Sequence, residues 1–222
     1  MEKESDAIQP PEKALPSGKQ ALIQEDRFST DDLHNNDSRI LALLNEEGSN
    51  YSFKGIQRLL GIHQQSLSRA LHRLGEMGLV RKSDVGYQLS KTGEAAAAKT
   101  GVAVDAKGRE YIQLLQTYIP VDIRPAEIVR SLVGKWFKNL RWVGLIESGT
   151  GFTLQWSSDD GSFQINLRMI SDYVVIETNA KSQVEKLRAM VGSYAIYEQI
   201  TRALQDRAQP ANSYVFRQQV NN

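Results

Sequence analysis

Apolar positions recur every three or four residues in the first half of this chain and every two in much of the second. Behind Asp37, the residues Ile40, Leu41, Leu43 and Leu44 predict a helix capped by the Asp37 carboxylate, with Gly48 suited to the left-handed position that ends it. Ser52 then precedes Phe53, Ile56, Leu59 and Leu60 on one face of a second short helix closed by Gly61. After the turn Ile62-His63, a third helix carries Leu67, Leu71, Leu74 and Met77 inward and stops at Gly78. Two short strands follow, Leu79 to Lys82 and Tyr87 to Ser90, around a polar tip Ser83-Asp84-Val85-Gly86. Thr92 is a candidate cap for a further helix through Glu94 to Lys99, and Gly101 and Gly108 bracket a linker.

In the second half, Tyr111, Ile112, Leu114, Leu115 and Tyr118 fit an amphipathic helix running to Pro120. Pro125 suits the first turn of another helix, with Ile128, Val129, Leu132, Val133 and Trp136. Strands are expected over Leu140 to Glu147, Phe152 to Ser157, Ser162 to Met169 and Tyr173 to Thr178, separated by the turn signals Gly149-Thr150-Gly151, Asp159-Asp160-Gly161 and Ser171-Asp172. Phe152, Leu154 and Trp156, and then Phe163, Ile165, Leu167 and Met169, alternate with polar residues, so one sheet face is apolar. A last helix from about Ala180 to Gln205, with Val184, Leu187, Met190, Val191 and Ile200, is expected to cover that face.

These elements predict an α+β protein. Residues 1–36 are expected to form a disordered arm, since three prolines and eight carboxylates against four cations leave little to bury. A helical domain with a β-hairpin occupies 37–104. An α+β domain with an antiparallel sheet of three or four strands flanked by helices occupies 105–208, and 209–222 is a tail.

Composition narrows the chemistry. The formal net charge of +1 gives no global electrostatic signature, so any basic surface is local. The absence of cysteine excludes disulfides, thiolate metal sites and cysteine nucleophiles. No apolar run approaches the length needed to span a bilayer and the N-terminus lacks an apolar leader core, so a cytoplasmic protein without membrane contact is expected. Neither GxxxxGK[ST] nor GxGxxG occurs. His63 and His72 lie on opposite sides of a helix, which argues against a metal. Glu147, Asp159 and Asp160 read as solvated turn carboxylates rather than an acid–base pair. No catalytic residue, metal or cofactor is expected, and an enzyme is disfavoured.

The chemistry that remains is on the third helix. Opposite its apolar face it displays Gln64, Gln65, Ser68, Arg69, His72 and Arg73, and no carboxylate occurs between Phe53 and Leu74. Residues 52–94 carry seven cations against three anions, with Arg81, Lys82 and Lys91 flanking the hairpin. Arginine and glutamine make bidentate bonds to guanine and adenine, while cations on a hairpin suit phosphates.

The order helix, helix, turn, helix, hairpin, carried by Ile56 to Leu74 and by Gly75-Glu76-Met77-Gly78-Leu79-Val80-Arg81-Lys82, resembles the winged helix-turn-helix regulators of the broad MarR and ArsR kind. The resemblance covers residues 37–92. It implies a third helix in the major groove of double-stranded DNA, a wing on the backbone, and a role in transcription regulation. On this reading Gln64, Gln65, Ser68, Arg69, His72, Arg73, Arg81, Lys82 and Lys91 touch DNA. The second domain is expected to make a homodimer, to sense a small-molecule effector, for which Trp136, Trp142, Trp156, Phe137 and Phe152 are candidate lining, or to hold a protein partner. The alternative is a winged-helix protein-interaction or assembly factor without sequence-specific DNA binding.

Overall fold

The structure, a computed structural model, describes residues 35–46, 48–100 and 110–208. The arm, the linker with the expected domain boundary, and the tail lie outside the described residues, except that Asn35 and Asn36 already belong to the first helix.

The helices of the first half form where the apolar spacing places them: α1 Asn35–Leu44, α2 Phe53–Leu60, α3 Gln64–Glu76 and α4 Lys91–Thr100. Ser52 accepts the Gly55 N–H at 2.9 Å and so caps α2, and Gly61 closes it at φ 63°. Two expected caps differ. Asp37 is inside the first turn of α1, fully buried, and Ser90 rather than Thr92 caps α4, its hydroxyl accepting the Gly93 N–H at 3.0 Å.

The strands are β1 Ser49–Tyr51, β2 Val80–Lys82, β3 Tyr87–Leu89, β4 Ile112–Tyr118, β5 Leu140–Ser148, β6 Gly151–Ser158, β7 Gln164–Ile170 and β8 Tyr173–Thr178. They join one eight-stranded antiparallel sheet in the order β2-β3-β1-β5-β6-β7-β8-β4, more than the three or four strands expected for the second domain alone. The larger sheet arises because β1, only three residues long and too short to show alternation, pairs with β3 on one side and β5 on the other. The hairpin of the first half is thereby continuous with the sheet of the second.

The segment read as a helix through Tyr111 to Tyr118 is the edge strand β4, paired with β8. A β-bulge between Gln113 and Leu115 explains the misreading. It turns the adjacent Leu114 and Leu115 both toward the core, producing a doublet that imitates helical spacing.

Two apolar cores result, one on each side of β5. Leu140, Trp142 and Leu145 pack with β6, β7, α5 (Pro125–Leu132) and α6 (Gln183–Ala208); Val143 and Ile146 pack with α1, α2, α3 and the hairpin. In the larger core Trp156 meets Trp142 and Phe137 edge to face, at 5.4 and 5.6 Å, and all three rings are buried. Gly55 lets α2 sit directly on β5, because a Cβ there would be 2.2 Å from the Val143 carbonyl oxygen.

Helix α6 covers the sheet with a different face from the expected one. Ala189, Ser193, Ile196 and Ile200 are buried, and Gly192 abuts Leu140, while Val184, Leu187, Met190 and Val191 stay more than half exposed. Small residues bring the helix close to a sheet whose own large side chains already fill the layer. Its start is a capping box: Ser182 Oγ accepts the Glu185 N–H and Glu185 accepts the Ser182 N–H. Among the described residues, no helix is long and apolar enough to cross a membrane.

Candidate nucleic-acid interface

Helix α3 is held from beneath by Leu67, Ala70, Leu71 and Leu74, each buried. The Arg73 guanidinium makes two bonds to the Asp37 carboxylate, at 2.6 and 2.9 Å, locking α3 to α1. This ion pair raises the Arg73 pKa above its ordinary value. His63 Nδ1 accepts the Gln65 N–H at 3.4 Å at the start of α3. Arg39 donates to the Leu60 carbonyl at the end of α2, which fixes the turn between the two helices.

Pinned in this way, α3 exposes Gln64, Gln65, Ser68, Arg69 and His72. Lys54 on α2 extends this face, its ammonium donating to Gln64 Oε1 at 3.3 Å and Gln57 Oε1 at 3.0 Å. The charge count includes Lys54, but only the fold shows that it adjoins the start of α3.

The hairpin stands beside this helix. Its tip is rigid: Ser83 Oγ accepts the N–H groups of Val85 and Gly86, and Asn50 on β1 donates to the same oxygen at 2.8 Å. Between α3 and the hairpin runs an open groove of about 490 Å³ lined by residues that include Ser68, His72, Glu76, Lys82 and Tyr87.

Residues 31–86 match the model of the MarR family. This segment is a winged-helix DNA-binding domain of the MarR type. The match ends at the tip of the wing, and the family is one of transcription regulators rather than enzymes. No curated protein and no solved structure matches the chain.

In this MarR-type domain the strand geometry separates the two wing cations. Neighbouring residues of a strand point to opposite faces. Lys82 lines the groove beside α3, whereas Arg81 lines a cavity of about 450 Å³ on the other side with Glu46, Gln88 and Glu94. Lys91 is exposed at the start of α4. Of the nine residues expected to touch DNA, the fold therefore gathers Gln64, Gln65, Ser68, Arg69, His72 and Lys82 around one surface. His72 also lies 3.4 Å from Glu76, one turn along α3.

Proposed function

We propose that this protein is a sequence-specific transcription regulator whose α3 enters the major groove of double-stranded DNA while Lys82 on the wing meets an adjacent phosphate. The observation that carries this reading is the carboxylate-free exposed face from Gln64 to Arg69, set across a groove from Lys82 in a segment that matches the MarR family. Arg69 suits a guanine edge, Gln64 and Gln65 suit adenine, and Ser68 and Lys91 suit phosphate oxygens. Arg73 orients α3 through Asp37, and Arg81 serves as an internal control on the far side of the wing.

The reading includes a homodimer, so that two half-sites are read together. Its support is the exposed face of α6. Val184, Leu187, Val191 and Tyr194 are 67%, 55%, 57% and 65% exposed, with Met190 beside them at 55%. Their spacing of three, four and three residues reads the same in both directions. An antiparallel copy of the helix therefore sets Val184 against Tyr194 and Leu187 against Val191, as a two-fold interface requires.

Quantitative duplex binding tests the DNA assignment. Arg69→Ala is expected to cost about 1–3 kcal/mol at the preferred site and to relax preference at one base pair. Lys82→Ala is expected to weaken all duplexes alike and to lower the salt slope by about 0.9 for one lost phosphate contact. Arg81→Ala should leave both quantities unchanged. If Arg69→Ala and Lys82→Ala bind duplex as well as the parent chain does, the winged helix is a protein-docking module.

A further inference from the structure

The turn between α5 and β5 reads Gly134-Lys135-Trp136-Phe137-Lys138, and it presents an exposed tryptophan, 62% accessible, between two exposed lysines. An exposed indole is unusual, and here the backbone that carries it is fixed from several sides. The Trp156 indole N–H donates to the Lys135 carbonyl at 2.9 Å, Phe137 is buried, and Phe137 and Leu140 form a β-bridge. Arg141 donates to the Lys138 carbonyl at 3.3 Å and pairs with Asp159, and its guanidinium stacks over Trp136 at 4.5 Å. Arg141 is thus occupied in holding the turn, and Lys135 and Lys138 carry its outward charge.

The turn belongs to the second half of the chain but lies next to the MarR-type domain. Ser52 at the start of α2 donates its N–H to the Val143 carbonyl of β5 at 2.8 Å. Arg58 of α2 has its pKa lowered first by partial burial and then by the Arg141 guanidinium, against an opposing pull from the Asp159 carboxylate that Arg141 pairs with. Lys54 and Arg58 on α2 and the two lysines of the turn therefore belong to neighbouring elements, joined through β5, with Asp159 neutralised by Arg141 beside the turn.

We propose that this turn is a second contact with duplex DNA: Lys135 and Lys138 meet backbone phosphates flanking the segment read by α3, and the Trp136 ring packs on the adjoining deoxyribose. The proposal rests on the DNA reading above and extends it to a part of the chain outside the family match. A rigid turn suits the role because little ordering entropy is lost on binding. Phosphate and sugar contacts of this kind add affinity and fix orientation without reading sequence.

The test uses the full chain and two duplexes with the same selected core, one trimmed to that core and one extended by about 10 base pairs, one helical turn, on each side. The parent chain is expected to bind the extended duplex more tightly and with a steeper salt dependence. Lys135→Gln/Lys138→Gln should lower the salt slope on the extended duplex by about 1.8, at about 0.9 for each phosphate, and leave the trimmed duplex unchanged. Trp136→Ala should weaken the extended duplex alone, and Arg69→Ala should weaken both. Equal binding of the two duplexes by the parent chain, or variants that keep the extended-duplex advantage, overturns the proposal while the α3 assignment stands. Failure of the parent chain to bind either duplex overturns the DNA reading and this proposal with it.

Discussion

Arg73 and Asp37 offer a direct way to separate a residue that positions α3 from one that reads DNA. The Asp37 side chain is fully buried, whereas that of Arg73 is 36% exposed, so the two partners are not equivalent. Arg73→Ala leaves a carboxylate in the interior without its guanidinium. Breaking a fully buried pair costs about 3–5 kcal/mol, and the partial hydration of Arg73 lowers the expected loss to about 2–4 kcal/mol. Asp37→Asn leaves Arg73 able to turn toward water, and about 1–2 kcal/mol is expected. The double variant removes both the cation and the buried charge, so its loss should fall short of the sum by about 1 kcal/mol or more. Urea unfolding followed by circular dichroism measures all three, with an unchanged slope showing that the folded and unfolded states are comparable. If Arg73→Ala changes stability by less than about 0.5 kcal/mol while duplex preference relaxes at one base pair, the positioning role is wrong and Arg73 belongs to the reading face.

The remaining predictions concern the other contacts that hold the architecture together. Gly55→Ala puts a Cβ against the Val143 carbonyl and should destabilise the fold by about 1–3 kcal/mol or more, with a single unfolding transition because both cores share β5. Two separate transitions would show that the cores are independent. Asp160 accepts bonds from Arg188, Ser162 and Ser158, and the Arg188 ion pair above all holds its carboxyl well below the ordinary value of 3.8. Its ionised form is favoured in the folded state, so it contributes stability above about pH 4 that is lost as pH falls further. Asp160→Asn should therefore flatten the acid limb of the stability profile, and an unchanged limb would refute this assignment. Leu187→Glu/Val191→Glu should convert the proposed dimer to a single 24.9 kDa chain in sedimentation that keeps its folded circular dichroism spectrum, since both side chains face solvent in the single chain. A parent chain already of that mass would remove the α6 interface.

Local chemistry made most of the winged helix legible in the sequence. Ser52 and Gly61 bound α2 by capping and positive φ, and the spacing of Leu67, Leu71 and Leu74 sets the phase of α3, so its outer face follows. Strands β5 to β8 were equally plain because Leu154, Trp156, Ile165 and Leu167 alternate with polar residues. What depended on distant partners was not legible. The three residues of β1 carry no periodic signal, yet they join the two halves of the sheet. The bulge in β4 disguised a strand as a helix. In α6 the branched apolar side chains suggested the buried face, but the sheet accepted the side with Ala189, Gly192 and Ser193 because it left no room for larger ones. At the site, the exposed face of α3 could be read directly, whereas the Asp37 pairing of Arg73 and the opposite orientations of Arg81 and Lys82 required the packing of α1 and the pleat of the wing.

The most direct test of the central claim is the affinity of the full chain for a duplex recovered from a random pool, compared with a scrambled duplex across several salt concentrations. The account predicts a preference of at least about a thousandfold for the selected duplex and an affinity for both that falls steeply as salt rises. Equal affinity for the two duplexes, or binding that does not respond to salt, would contradict it.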